Sequence, residues 1–153
     1  MMKTSFRKMN DKVKGAAAVE MALLLILLLM IVAGIIEFGR TFWYYDALAK
    51  GTRDGVRFLS NARVDDTVAI DAALIGQAKA MVVNAATEAN VPSFLESDVE
   101  VDCDPDCTAP TYVTVRIDAY PVTIGGWIPV FVPTGATTWS STLSPYTTMR
   151  YMR

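Results

Sequence analysis

A chain of 153 residues, 52% hydrophobic and with a formal net charge of −2, is long enough for one compact domain, yet its apolar residues are too unevenly spread for a single globule. It contains no histidine and only two cysteines, which excludes Ser-His and Cys-His triads, because these need an imidazole base, and leaves zinc without its usual four soft ligands. It also lacks the Gly-rich phosphate loop of a motor or kinase.

In chain order, residues 1–15 come first, with Lys3, Arg7, Lys8, Lys12 and Lys14 against the single acid Asp11. Residues 21–36 are then all apolar or Gly, and residues 16–19 extend the run to about 21 positions interrupted by Glu20. That is close to the roughly 20 residues an α-helix needs to cross a bilayer core. A helix apolar on every side for this length has no place in a small soluble domain, which could not surround it with core. Membrane insertion follows. The positive-inside rule keeps the basic end in the cytoplasm and sends the C-terminal part across. Without residues 1–15, nine bases face fifteen acids, so the exported part repels nucleic acid.

Three readings of this N-terminal pattern compete. A secretory signal would have a shorter apolar core and a small-x-small cleavage site, whereas the best candidate, at Ala33-Gly34, has bulky Ile31 where a small residue is wanted. An uncleaved single-pass anchor accommodates Glu20 by letting it snorkel towards Lys14 at the interface. The third reading gives Glu20 a partner. A carboxylate in a spanning helix costs on the order of 2.5–3.5 kcal/mol at the bilayer centre. Cleavage between Gly15 and Ala16 would create an α-amino group and make Glu20 the fifth residue of the mature chain. In a bundle of such helices, the ammonium of one copy can meet the carboxylate of the next. A misregistered copy then leaves a buried charge unpaired, so the pair sets register more than it adds stability.

At these residues the sequence resembles a family. K-x-G-A-A-A-V-E ending at Glu20, the apolar run, and I-I-E-F-G-R at residues 35–40 are similar to the TadE-like proteins, which are pseudopilins or minor pilins of the tight-adherence secretion system that builds a type IV-class pilus. The likeness continues more weakly through Asp46-Ala47-Leu48, residues 53–57 and the closing T-T-M-R-Y at residues 147–151. It implies processing by a membrane aspartyl prepilin peptidase after Gly15 and an assembly role for Glu20. Where the family commonly has an aromatic after the glutamate, this chain has Met21.

Beyond Arg40 the helical period persists through Phe42, Tyr45, Leu48 or Ala49, Thr52, Val56 and Leu59, predicting one helix over residues 16–60. Phe42, Trp43, Tyr44 and Tyr45 suit either the headgroup zone or contacts with the head and neighbouring copies. Gly51-x3-Gly55 permits either a close helix contact or a kink.

In residues 62–153, Asp65 or Asp66 is expected to cap a second helix with the stripe Ile70, Leu74, Ala78, Met81 and Ala85, ended by Asn90 and Pro92. Alternation then predicts strands through Val99, Val101 and Cys103, and through Val113, Val115, Ile117 and Ala119, with more at residues 137–143 and 147–151. In an oxidising compartment Cys103 and Cys107 pair, a small ring contributing roughly 2 kcal/mol by loop entropy. Asp102, Asp104 and Asp106 lack the Gly and Glu of an EF-hand, which leaves either a looser calcium site or the wet face of a strand entering a turn. The apolar stretch between Pro121 and Pro133, broken by Gly125, Gly126 and Pro129, is too short to span a membrane and reads as core loop or contact surface.

The expectation is an α+β protein: a leader at 1–15, a transmembrane and extended helix at 16–61, and an exported head at 62–153 with one helix and an antiparallel sheet. Its function would be that of a pilin-like assembly subunit without metal or cofactor, partnered by the inner membrane, a prepilin peptidase and other pilin subunits. An uncleaved anchored binding or scaffold module and a membrane-tethered carboxylate hydrolase are the alternatives, since sixteen acids could include a catalytic pair.

Overall fold

The computed structural model describes residues 11–62, 69–125 and 139–152. Helix α1 (Asp11–Asn61) is one unbroken rod of 51 residues, on the order of 75 Å long at 1.5 Å per residue. It starts inside the basic N-terminal segment and passes through Gly15 without interruption. Its first half is sheathed in exposed Leu, Ile, Val and Met side chains; its outer half is the spine of the head.

Helix α2 (Ala72–Glu88) begins later than the sequence suggests. Asp71 is its N-cap, accepting a hydrogen bond from the Leu74 N–H at 2.8 Å and so satisfying one of the open donors of the first turn. Asp65 and Asp66 lie outside the described residues, and Ile70 is buried just before the cap. At the other end Asn90 takes a positive φ of 56°. The Val91 N–H reaches the Ala86 carbonyl and the Asn90 N–H that of Thr87, the paired bonds of a Schellman stop.

The strands are β1 (Val99–Asp104), β2 (Tyr112–Ile117), β3 (Tyr120–Ile124), β4 (Trp139–Leu143) and β5 (Tyr146–Arg150). They form two antiparallel sheets, β1-β2-β5 and β3-β4. The expected β2 does not extend to Ala119: that residue adopts φ 43°, a left-handed conformation outside the strand region, and there the chain leaves one sheet for the other. Val122 and Ile124 belong to β3, while residues 126–138, including Trp127, Ile128, Val130, Phe131 and Val132 of the apolar stretch, lie outside the described residues.

The larger sheet packs α1 against β2 and β5 and α2 against β1. Val113, Val115 and Ile117 meet Leu48, Val56 and Leu59 in a common core, the two-layer arrangement that hides one face of each element. Thr52 is fully buried in this layer; its hydroxyl bonds the Ala49 carbonyl at 3.0 Å and lies 3.2 Å from the Thr147 hydroxyl on β5.

Two stripes depart in part from the sequence expectation, although Leu48, Thr52, Val56 and Leu59 on α1 and Ala78 on α2 lie inwards as expected. On α1 the inward residues are Tyr44, Leu48, Gly51, Thr52, Gly55, Val56 and Leu59, while Phe42 and Tyr45 are exposed. On α2 they are Ala78, Val82 and Ala86, while Met81 faces outwards. The cause is the close approach of the helices at Gly51 and Gly55. A Cβ on Gly51 would sit 3.1 Å from Val82 Cα and Ala85 Cβ, and one on Gly55 would sit 3.1 Å from the Ala78 carbonyl oxygen. The glycine pair is therefore a helix contact, and α1 continues through it without a break.

Candidate functional site

The residues that carry the functional reading lie along the exposed half of α1. Gly15 and Ala16 are helical and exposed, and nothing lies within 4 Å of the position a Gly15 Cβ would take. Glu20 stands on the next turn, also exposed, with no ion-pair partner among the described residues. Around and beyond it, Val19, Met21 and residues 23–32 present their apolar side chains outwards on every side. Among the described residues this is the one helix long and apolar enough to cross a membrane, and none of that apolar window is buried within the chain. A lone carboxylate in such a sheath has lost water and gained no compensating charge once the sheath is in lipid.

At the far end of the sheath is a feature the sequence reading did not single out. Glu37 is 2% exposed, and its carboxylate accepts a hydrogen bond from the Arg40 guanidinium at 2.6 Å, one turn along. The Thr41 hydroxyl bonds the Glu37 carbonyl at 3.0 Å. A buried carboxylate requires such pairing. Acid and base three residues apart at the end of an apolar run were the available signal, because residues at i and i+3 share a helix face. The aromatic cluster that follows divides its roles. Tyr44 packs against the core, whereas Phe42, Trp43 and Tyr45 are exposed, placed where amphipathic rings settle at a membrane surface.

In the head, Cys103 and Cys107 form a disulfide with Cα atoms 5.0 Å apart. Within its ring, Asp106 accepts bonds from the Thr108 hydroxyl, the Ala109 N–H and the Thr108 N–H, which hold its carboxyl below the usual carboxylate range by favouring the charged form. Asp102 faces Arg116 at 3.3 Å, and Arg116 also pairs with Glu100 across β1 and β2. These hydrogen bonds and charges raise the Arg116 pKa. Asp102 thus belongs to a strand-face ion pair and Asp106 to a turn, while Asp104 is exposed at the end of β1. Among the described residues no acidic, Cys or His side chains converge as a metal-holding group.

A single tyrosine ties β3 to the segment after α2. The Tyr120 hydroxyl donates to the Pro92 carbonyl, and its ring meets Phe94 edge-on at 5.4 Å. Burial, reinforced by Asp98 and Tyr44, raises its pKa.

This geometry defines a class: proteins with one unpartnered membrane-length helix, of which the outer half is built into a small α+β head. Residues 15–57 match the model of the family described as TadE-like protein, so the chain is similar to that family over the apolar helix and the part of α1 that meets the head. The match and the helix together fit a pilus-related, pilin-like membrane protein. Neither the comparison with curated proteins nor that with solved structures returns a match.

Proposed function

We infer that this chain is a pilin-like subunit, pseudopilin or minor pilin, of a tight-adherence pilus system, cut after Gly15 by a prepilin peptidase and assembled through residues 16–36 of α1. The carrying observation is Glu20, an acid with no ion-pair partner among the described residues, one turn beyond Gly15 in the half of α1 whose apolar window is not buried within the chain. Cleavage supplies the missing cation as the Ala16 amine of a neighbouring copy. Once both groups are out of water, removing one partner costs about 3–5 kcal/mol, enough to reject a copy in the wrong register. Five bases before the cut favour a cytoplasmic N-terminus in the inner membrane and a periplasmic head. The role is structural: nothing in it requires a cofactor or a nucleic acid.

Helix α1 passes unbroken through Gly15, which favours a second reading, an uncleaved anchor for a periplasmic binding or scaffold head. Intact mass and N-terminal sequencing of the membrane-extracted chain separate the two. Processing gives a chain starting at Ala16; an intact Met1 start in cells with active prepilin peptidase refutes the first reading. Glu20→Gln is expected to leave insertion unchanged and to reduce incorporation into pili at least tenfold, a change worth about 1.4 kcal/mol and smaller than the cost of an unpaired buried charge. Unchanged incorporation would remove the register role.

A further inference from the structure

Two unmatched charged surfaces lie side by side on the outer half of α1. Along one flank, Arg53 and Arg57 are exposed and four residues apart, so they share one ridge of the helix. The Arg53 Nε bonds the Ala49 carbonyl at 3.0 Å, and neither guanidinium meets a carboxylate among the described residues. On the adjoining flank, α1 and α2 enclose a groove of about 590 Å³ lined by Trp43, Asp46, Lys50, Asp54, Met81 and Glu88, with Ala47, Ala85 and Ala89 among its small residues. Its three acids outnumber its one base, and none of the four forms an ion pair among the described residues. The exposed Trp43 ring stands at its membrane end.

An acidic groove and a basic ridge on neighbouring faces of one chain are the two halves of a heterologous contact, the kind that repeats head-to-tail into an open helical array. We propose that this acidic groove docks a second copy of the chain, receiving Arg57 of that copy against Asp54. The proposal rests on the assembly reading above and sharpens it through register. In parallel helices joined by the Ala16 amine of one copy and Glu20 of the next, residue 20 of the second copy is level with residue 16 of the first, a displacement of about 6 Å. The same displacement sets Arg57 of the second copy level with residue 53 of the first, one position from Asp54. It sets Arg53 level with residue 49, one position from Lys50, so that Arg57 carries the contact. Zero displacement would instead place Asp54 on Asp54 and Arg57 on Arg57, which repel. The membrane pair and the groove thus select one and the same stagger.

The full chain, expressed in its membrane, provides the test. Its two native cysteines are joined in a disulfide, so an introduced cysteine is the reactive thiol. Asp54→Cys and Arg57→Cys forms with different tags are coexpressed and oxidised in place. The expected result is a several-fold excess of mixed-tag dimers over same-tag dimers; equal or same-tag dominance overturns the proposal. Separately, Arg57→Asp should lower the assembled fraction several-fold and Arg57→Asp with Asp54→Arg should restore it. If the pair acts within one helix, the swap changes thermal unfolding of the head and leaves assembly untouched, which also overturns it. Should either cysteine form fail to fold, the charge swap decides alone. A Leu24→Cys form reports helix bundling by itself. A Leu24 cross-link without mixed Asp54–Arg57 dimers sinks the groove and spares the assembly reading, whereas loss of both sinks both.

Discussion

The two halves of α1 obey opposite rules although they form one continuous helix. Up to residue 36 large aliphatic side chains point outwards all round and nothing among the described residues covers them; from Tyr44 onwards the inward face narrows to Leu48, Val56 and Leu59, set among Gly51, Thr52 and Gly55. The first half is hydrophobic, but its apolar window is not buried within the chain, so it adds little to the stability of the head. The second half carries less apolar surface, yet it organises the head because every inward position meets a partner. Apolar content alone thus says little about which residues stabilise the fold; what matters is whether a partner is present.

The strongest break of this contrast is truncation. Leu48→Ala should destabilise the head by about 2–5 kcal/mol, whereas Leu25→Ala, removing the same atoms from the uncovered half, should leave head unfolding unchanged. Thermal or denaturant unfolding of the detergent-solubilised chain checks both, and equal effects would show that the halves are not independent.

Glycine gives the next, smaller contrast. Gly51→Ala gains up to about 1 kcal/mol of helix propensity but forces a methyl against Val82 Cα and Ala85 Cβ at 3.1 Å, an overpacking cost of about 1–3 kcal/mol. The head should therefore lose stability, by up to about 2 kcal/mol net on those two figures. Gly39→Ala meets nothing within 4 Å and should leave the same unfolding transition in place.

The smallest expected effect is a pH dependence confined to the head. Tyr120 has a raised pKa because burial disfavours its phenolate. Its contribution is fully present below the ordinary tyrosine value of about 10 and is lost as pH rises through the raised folded value. Tyr120→Phe should flatten the alkaline limb of the stability curve; an unchanged limb would show that Tyr120 does not govern it.

The α+β architecture, the long helix, the pairing of Cys103 with Cys107 and the first two strands were legible in the sequence, because alternation and the length of the apolar run report directly on periodicity. The helix–helix interface was legible only in part. Gly51, Gly55, Ala78 and Ala85 could be picked out by spacing, but hydropathy favours large residues, so the stripes also ran through Phe42, Tyr45 and Met81, which lie outside the contact. The start of α2 was misplaced for a related reason: Asp65, Asp66 and Asp71 are equally good caps on paper, and only the fold selects the one whose carboxylate meets Leu74. For the candidate site, the spacing of Gly15, Ala16 and Glu20 could be read directly. Glu37 could not be ranked, because burial of an acid depends on what the fold brings over it.

The end of β5 has a mechanical consequence. The Met152 N–H bonds the Ser60 carbonyl at 3.0 Å, and the buried Tyr151 hydroxyl donates to the Ala62 carbonyl. The last strand is thereby clasped to the tip of the spine, alongside the Thr52–Thr147 contact further down. Tension entering through the head passes into α1 by shearing several side-by-side links together, rather than by unzipping the sheet one hydrogen bond at a time.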